Sequence, residues 1–582
     1  VRSSREWRRE MQVTILRRAR AARAPRAAAL ALVAALASSG AASVVAPMRS
    51  VIVMGTDARG AADAVRASGG TVTAWLPIVN GVGALVRQDA IPALSARAGI
   101  VGVTPNRAVH VASVAAGGTP LSNDSVFARE TKADWAWWAG YDGSGVRVAL
   151  IDTGVNTSVQ DLADRVAPVP DPTGTGKLVQ CVDFSGEASC NDTYGHGTFI
   201  AGLIAGTGAL SNGKYKGVAP GAQIVSIKIA GRDGSADVSK VLAAIQWVVS
   251  FAPQLNIRVL NLSLGTDSPV SYRVDPLNFA VERAWRSGIV VVVSAGNRGV
   301  RTSQGAPQTA TISKPADDPL VLTVGAVDDR ATPGIGDDRV PFFSAHGPTI
   351  TDGIAKPDVV APGGHVISLR SPGSFVEQSA QSTSPDSNYR RGSGTSMAAG
   401  IVSGLAALLL QKNPAWAPDR VKYAFMAGAH KVAVNDPLWV GKGIVDVVAA
   451  NFAPDGLANQ DVSTLSDASG TLDGARNNVI VAAQCMGNRA LVDPNCGKAI
   501  RGNETAQGFM YDAQSYAQGN WTGSSWYESQ WNGLLGSSWY GSSWYGSSWY
   551  GSSWYGSSWY GDWDSGSYGV SIPGSSWYGF WD

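Results

Sequence analysis

Between residues 146 and 328 the chain alternates near-continuous apolar runs with helical patterns. VRVALID (146–152), QIVSIKIA (223–230), IRVLNLSLG (257–265), GIVVVVSAGN (288–297) and LVLTVGAVD (320–328) lack the in–out alternation of a half-exposed strand. Runs of this kind belong to strands covered on both faces. VSKVLAAIQWVVSFA (238–252) and PLNFAVERAWRSG (276–288) carry helical spacing, and SMAAGIVSGLAALLLQ (396–411) is apolar nearly all round, as a buried helix is. Strand alternating with helix over 120–455 predicts an α/β fold, doubly wound, with a mostly parallel sheet and helices on both faces.

A smaller pattern precedes it. RSVIVMG (49–55) and TVTAWLPIVNGVGALV (71–86) read as strands, the second folded at Asn80-Gly81 into a hairpin. ARGAADAVRASGG (58–70) and IPALSARAG (91–99) read as helices, and IVGVTPNRAVHV (100–111) as a last strand. The order β-α-β-β-α-β predicts a small α+β, ferredoxin-like unit over 48–112. Beyond 455 the large apolar elements stop. Residues 456–520 form a polar extension, and 521–582 a low-complexity Gly/Ser/Trp/Tyr tail with GSSWY five times in tandem over 536–560 and again at 574–578. A period of five fits neither strand nor helix, and each unit is too small to bury a core.

Length and charge sharpen this picture. At 582 residues the chain exceeds one average domain. A basic stretch (15–26), an apolar one (27–37) and small residues (38–46) give residues 1–43 the layout of a signal peptide, which predicts a secreted, extracellular or cell-surface protein. The net charge of +2 conceals a division: residues 1–26 hold nine Arg and two Glu, residues 47–112 six Arg and three Asp, and the remainder carries −8. That acidic remainder argues against nucleic acid as a partner. The four cysteines allow three pairings, and their short spacings favour Cys181 with Cys190 and Cys485 with Cys496.

Candidate chemistry gathers at strand ends and helix starts. Ser396 opens a buried helix, where free N–H groups and the helix dipole favour negative charge. Of five histidines, His196 in TYGHGTFIAGLIAG (193–206) heads a helix between two glycines, whereas His346 and His365 lie in Gly/Pro turns and are expected as surface or loop residues. Asp152 ends a strand, placed to orient an imidazole, and Asn297 ends another, placed to donate to an oxyanion.

Three stretches, ALIDTGV (149–155), GHGTFIAG (195–202) and GTSMAA (394–399), closely resemble in sequence and order the signatures of the subtilisin-like serine peptidases, or subtilases. GVAPGAQI (217–224), NLSLG (261–265), SAGN (294–297), VGAVD (324–328), AKPDVVAPG (355–363) and GKGIVDV (441–447) extend the likeness across about 135–450. The resemblance implies Ser396 as nucleophile, His196 as base, Asp152 as its orienting carboxylate and Asn297 as oxyanion donor. It also implies that Ser263, Leu264 and Gly265 on one side, and Ile229, Ala230 and Gly231 on the other, flank an extended polypeptide substrate. The unit at 48–112 resembles the family's propeptide, an inhibitor and chaperone removed by self-cleavage around 110–125. No cofactor is implied for catalysis. The loop 207–217 lacks an asparagine-rich calcium pattern, so structural calcium stays open, and Gly400 and Phe199 replace residues common in relatives. A monomer is expected. The aromatic tail offers contact with cell wall or polysaccharide, or adhesion as the main business of an inert subtilase-shaped protein.

Overall fold

The computed structural model describes residues 46–111 and 123–469, except 172–176, 267, 269, 300–310, 350, 380–384, 433 and 435, together with 481–482 and 499–500. The expected signal peptide, the GSSWY tail and Cys485 and Cys496 lie outside the described residues. The first unit comprises β1 (Met48–Gly55), α1 (Ala58–Ala67), β2 (Thr71–Leu76), β3 (Gly81–Arg87), α2 (Ile91–Ser95) and β4 (Ile100–Pro105). Its strands lie in the order β2-β3-β1-β4, antiparallel throughout, which is the ferredoxin-like plait. Asn80 turns the hairpin at φ 51°, and glycine must follow because a Cβ on Gly81 would lie 2.3 Å from the Val53 carbonyl oxygen. β1 serves two cores by alternation. Val51 and Val53 pack with Ala61, Val65 and Leu94 inside the unit, whereas Ile52 and Met54 join the core of the larger domain.

The run 100–111, expected as one strand, is two. β4 ends at Pro105, and β5 (Ala108–Val111) leaves the plait altogether. The break is held by the start of a helix in the larger domain: Asn106 Oδ1 accepts the Ser239 N–H at 2.8 Å, and the Arg107 carbonyl accepts the Val238 N–H at 2.9 Å.

The larger domain runs β6 (Arg147–Asp152), β7 (Val182–Asp183), α3 (His196–Ala205), β8 (Gln223–Lys228), β9 (Ser235–Asp237), α4 (Val238–Leu255), β10 (Ile257–Leu262), β11 (Leu264–Gly265), α5 (Pro276–Arg286), β12 (Val290–Ser294), β13 (Leu322–Asp328), β14 (Val359–Gly364) and α6 (Thr395–Lys412). Seven strands form one parallel sheet in the order β14-β13-β12-β10-β6-β8-β7. The chain runs from β6 to the edge strand β7, steps back through α3 to β8, and passes β6 through α4 to reach β10. α3 packs against α6, and α4 against α5. The reversal opens a crevice at the carboxyl ends of β6 and β10, where ligands of such sheets gather. The doubly wound α/β fold stands as expected. Two strands of the sheet have no strand signal in the sequence: β7 is only two residues long, and β14 contains Pro362-Gly363-Gly364, which reads as a turn and is tolerated at the sheet edge.

Burial also leaves an acid-dependent term. The carboxyl groups of Asp318 and Asp329 are each pushed up to about 7, chiefly by burial, and for Asp329 also by the charges of Asp328 and Asp338. Each holds its proton in the folded chain after the unfolded chain has lost it near about pH 4. Their stabilisation is whole below that value and is lost as pH rises through about 7. Asp329→Asn keeps an acceptor for the Ala331 N–H. It is expected to raise the melting temperature on the alkaline side of about pH 7 and to flatten the fall below it. Calorimetry across that range on a Ser396→Ala background checks this.

Candidate active site

β6 delivers Asp152 to the crevice, buried at 1% exposure, and α3 begins with His196 directly beside it. His196 Nδ1 lies 2.8 and 2.9 Å from the two Asp152 carboxylate oxygens. A carboxylate only accepts, so Nδ1 carries the hydrogen and Nε2 is left with the basic lone pair. The glycines on either side of the imidazole make the approach geometrically allowed. Gly195 has φ 112°, and a Cβ on Gly197 would lie 2.1 Å from the Gly154 carbonyl oxygen.

A second carboxylate, which the sequence did not single out, fixes this helix start. Asp192 is 3% exposed and accepts the N–H groups of Gly195 (2.6 Å) and Thr198 (2.8 Å) and the hydroxyl of Thr153 (2.7 Å). Thr153 Oγ1 in turn accepts the Gly197 N–H at 2.9 Å, while the Thr153 N–H donates to Asp152 at 2.7 Å. Burial raises the Asp192 pKa, with these N–H and hydroxyl donors opposing it. The strand end bearing Asp152 and the helix bearing His196 are thus bolted together. The legible signal was an Asp just upstream of a helix start, the position of a cap.

Ser396 is the second residue of α6, fully buried, and its Oγ donates to the Ser263 carbonyl at 3.2 Å. Asn297 stands alongside. Its Oδ1 accepts both the Thr395 N–H (2.9 Å) and the Thr395 hydroxyl (3.0 Å). A backbone N–H can only donate, so the amide is fixed with its oxygen toward Thr395. Nδ2 is then turned away, buried and without a hydrogen-bond partner among the described residues. A buried donor left open costs about 1–3 kcal/mol unless something fills it, and the amide that carries it is bonded to Thr395, the residue before Ser396.

Ser263 Oγ reaches Asn261 Oδ1 at 2.8 Å and the Ser396 carbonyl at 3.1 Å, and Asn261 donates to Ser403 of α6 at 2.9 Å. The stretch Ser263–Gly265 is therefore registered against the helix that carries the serine. On it lies β5: a three-stranded sheet runs β9-β5-β11, antiparallel, with His110 opposite both Ser235 and Gly265, and Val111 opposite Leu264. On its other side β5 pairs with Ser235–Asp237, and Ile229–Gly231 is not in this sheet. Ile229 and Ala230 are buried, and the Ile229 N–H donates to the Asp152 carbonyl at 2.9 Å. The strand β8 ends at Lys228 and the chain turns through Gly231–Gly234 before it meets the cleft.

The other predicted positions fall as follows. Cys181 and Cys190 are disulfide-bonded, and within their loop Glu187 accepts from Thr193 (2.7 Å), the Arg232 N–H (2.8 Å) and Lys228 (2.9 Å). His346, expected as a surface or loop residue, lies in a loop but is buried, and its ring stacks on Trp439 at 3.9 Å between centroids. His365 pairs with Asp328 at 3.2 Å. Among the described residues no group of three or more His, Cys, Asp or Glu side chains is arranged to hold a metal ion.

A parallel sheet carrying an Asp–His pair, a helix-tip serine and a turned amide at its carboxyl end is the arrangement of a serine hydrolase. The chain belongs to the subtilase family of serine endopeptidases, whose pattern it matches over residues 143–443. It is 39% identical over 319 residues to the serine protease AprX of Bacillus subtilis, which covers 54% of this chain and 67% of AprX. Subtilisin DY of Bacillus licheniformis is 35% identical over 321 residues, 55% of this chain and 95% of that protein. Fervidolysin from Fervidobacterium pennivorans, a keratinolytic enzyme related to subtilisin, has a similar solved structure. The TM-score is 0.52 at 26% identity, over 71% of this chain and 62% of fervidolysin.

Proposed function

We propose that the chain is a secreted endopeptidase made as a self-processing zymogen. Ser396 Oγ attacks the scissile carbonyl carbon while His196 Nε2 takes its proton. Asp152 stabilises the imidazolium that forms. The oxyanion is held by Asn297 Nδ2 and the Ser396 backbone N–H. His196 then protonates the leaving amine, and water, deprotonated by the same nitrogen, hydrolyses the acyl-enzyme. The four groups have no common task in an inert binding protein. Residues 1–43 serve as signal peptide, and the tail contacts cell wall or polysaccharide.

The observation that carries the reading is β5. A stretch of the chain itself lies as an added strand between Ser235–Asp237 and Leu264–Gly265, the way an extended polypeptide would bind. It supports reading the unit at 48–112 as the inhibitory propeptide. The register reaches Val111 opposite Leu264, next to Ser263, whose carbonyl accepts the Ser396 hydroxyl. Self-cleavage is therefore expected within a residue or two after Val111. N-terminal sequencing of the product checks this, and the Ser396→Ala chain is expected to stay uncut. A product beginning far downstream of the cleft, or an equally cut Ser396→Ala chain, contradicts the reading.

A further inference from the structure

The polar extension does not leave the domain at 455. The Ala458 N–H donates to the Asp419 carbonyl at 3.2 Å, and Asn459 reaches the Leu320 carbonyl at 3.0 Å and the Asp419 carboxylate at 2.7 Å. Further on, the Thr464 carbonyl accepts from Tyr272 at 3.1 Å, the Ser466 N–H donates to Glu282 of α5 at 2.9 Å, and the Asp467 N–H donates to the Arg273 carbonyl at 2.8 Å. Ala468 is 2% exposed and belongs to the same apolar core as Ile52 and Met54 of the first unit.

The segment then meets that unit. Gly102 of β4 pairs with Met54 of β1 and so shares the face turned toward the larger domain. A Cβ on Gly102 would lie 1.9 Å from the Ser469 carbonyl oxygen and 2.6 Å from its carbon. The backbone at Gly102 is outside the left-handed region, so its own conformation does not call for glycine. What calls for it is the carbonyl pressed against it.

We propose that residues 459–469 are a latch that recognises the propeptide through Gly102, so that its release is braked until this extension lets go. This rests on reading residues 48–111 as the inhibitory propeptide. The partner is the chain's own N-terminal plait, and the contact lies on the face that docks it, apart from the cleft strand β5. Propeptide and extension each cover part of the other's docking site, so loss of either loosens its neighbour.

The experiment uses the full chain bearing Gly102→Val. In a Ser396→Ala background, hydrogen exchange at the Ser466 and Asp467 amides is expected to quicken by about ten-fold or more, because the new side chain displaces Ser469. Amides of β1 and β3 should stay protected, showing that the plait itself is intact. In the cutting-competent chain, the lag between cleavage and full activity is expected to shorten by a similar factor. Ala468→Asp, which strikes the contact from the other side, should shorten it too. Unchanged exchange and unchanged lag, with β1 and β3 protected, overturn the latch. A parent chain that shows no lag after cleavage overturns the inhibitor reading itself and the brake with it, whatever the exchange shows.

Discussion

The His196→Ala chain is expected to hydrolyse an extended peptide about a million-fold more slowly than the parent, the scale of loss subtilisin shows when its own base is removed. The size follows from the geometry. Ser396 is an ordinary alcohol until a base takes its proton in the transition state, and the proposed base is the imidazole fixed by Asp152. With it gone, a fluorophosphonate should no longer modify Ser396, because that reaction needs the same proton transfer. The folded state should survive, since α3 is held by Asp192 through backbone N–H groups and not through the imidazole. Steady-state kinetics beside a melting curve read both quantities.

Asn297→Ala is expected to lower kcat by about 100- to 1,000-fold while leaving KM nearly unchanged. Nδ2 offers a hydrogen bond that is worth most when the carbonyl oxygen becomes an anion, so the loss belongs to the transition state and not to substrate binding. The substitution also removes the acceptor for Thr395. Asn297→Asp separates the two effects: it restores that acceptor yet places a second acceptor where the donor stood. If the donor matters, Asn297→Asp is as impaired as Asn297→Ala. If only the tie to Thr395 matters, it recovers.

Much of this was legible because the central strands are buried on both faces and cannot hide among polar residues. The runs 146–152 and 320–328 appear as strands within two residues of those bounds, while 288–297 yields the shorter Val290–Ser294, which stops three residues before Asn297. What escaped did so for tertiary reasons. The broken run 100–111 has no local break signal strong enough to show that its second half pairs with another domain. The strand Ser235–Asp237 is short and polar, while Ile229–Gly231 continues an apolar run and looks like the better strand. His346 sits in a turn by sequence, and the Trp439 ring stacked on it comes from far along the chain. Asp192 needed the neighbouring strand end to reveal that it ties Thr153 to α3. The seat of residues 459–469 is invisible in a polar stretch whose contacts are mostly through backbone groups.

The central claim is that Ser396 is an activated nucleophile. The most direct test treats the processed chain with a fluorophosphonate and maps the adduct by mass spectrometry, beside the His196→Ala chain freed of its propeptide by another protease. The account predicts one adduct, on Ser396, in the parent alone. A folded, propeptide-free parent that takes no label there, or a His196→Ala chain labelled as fast, would contradict it.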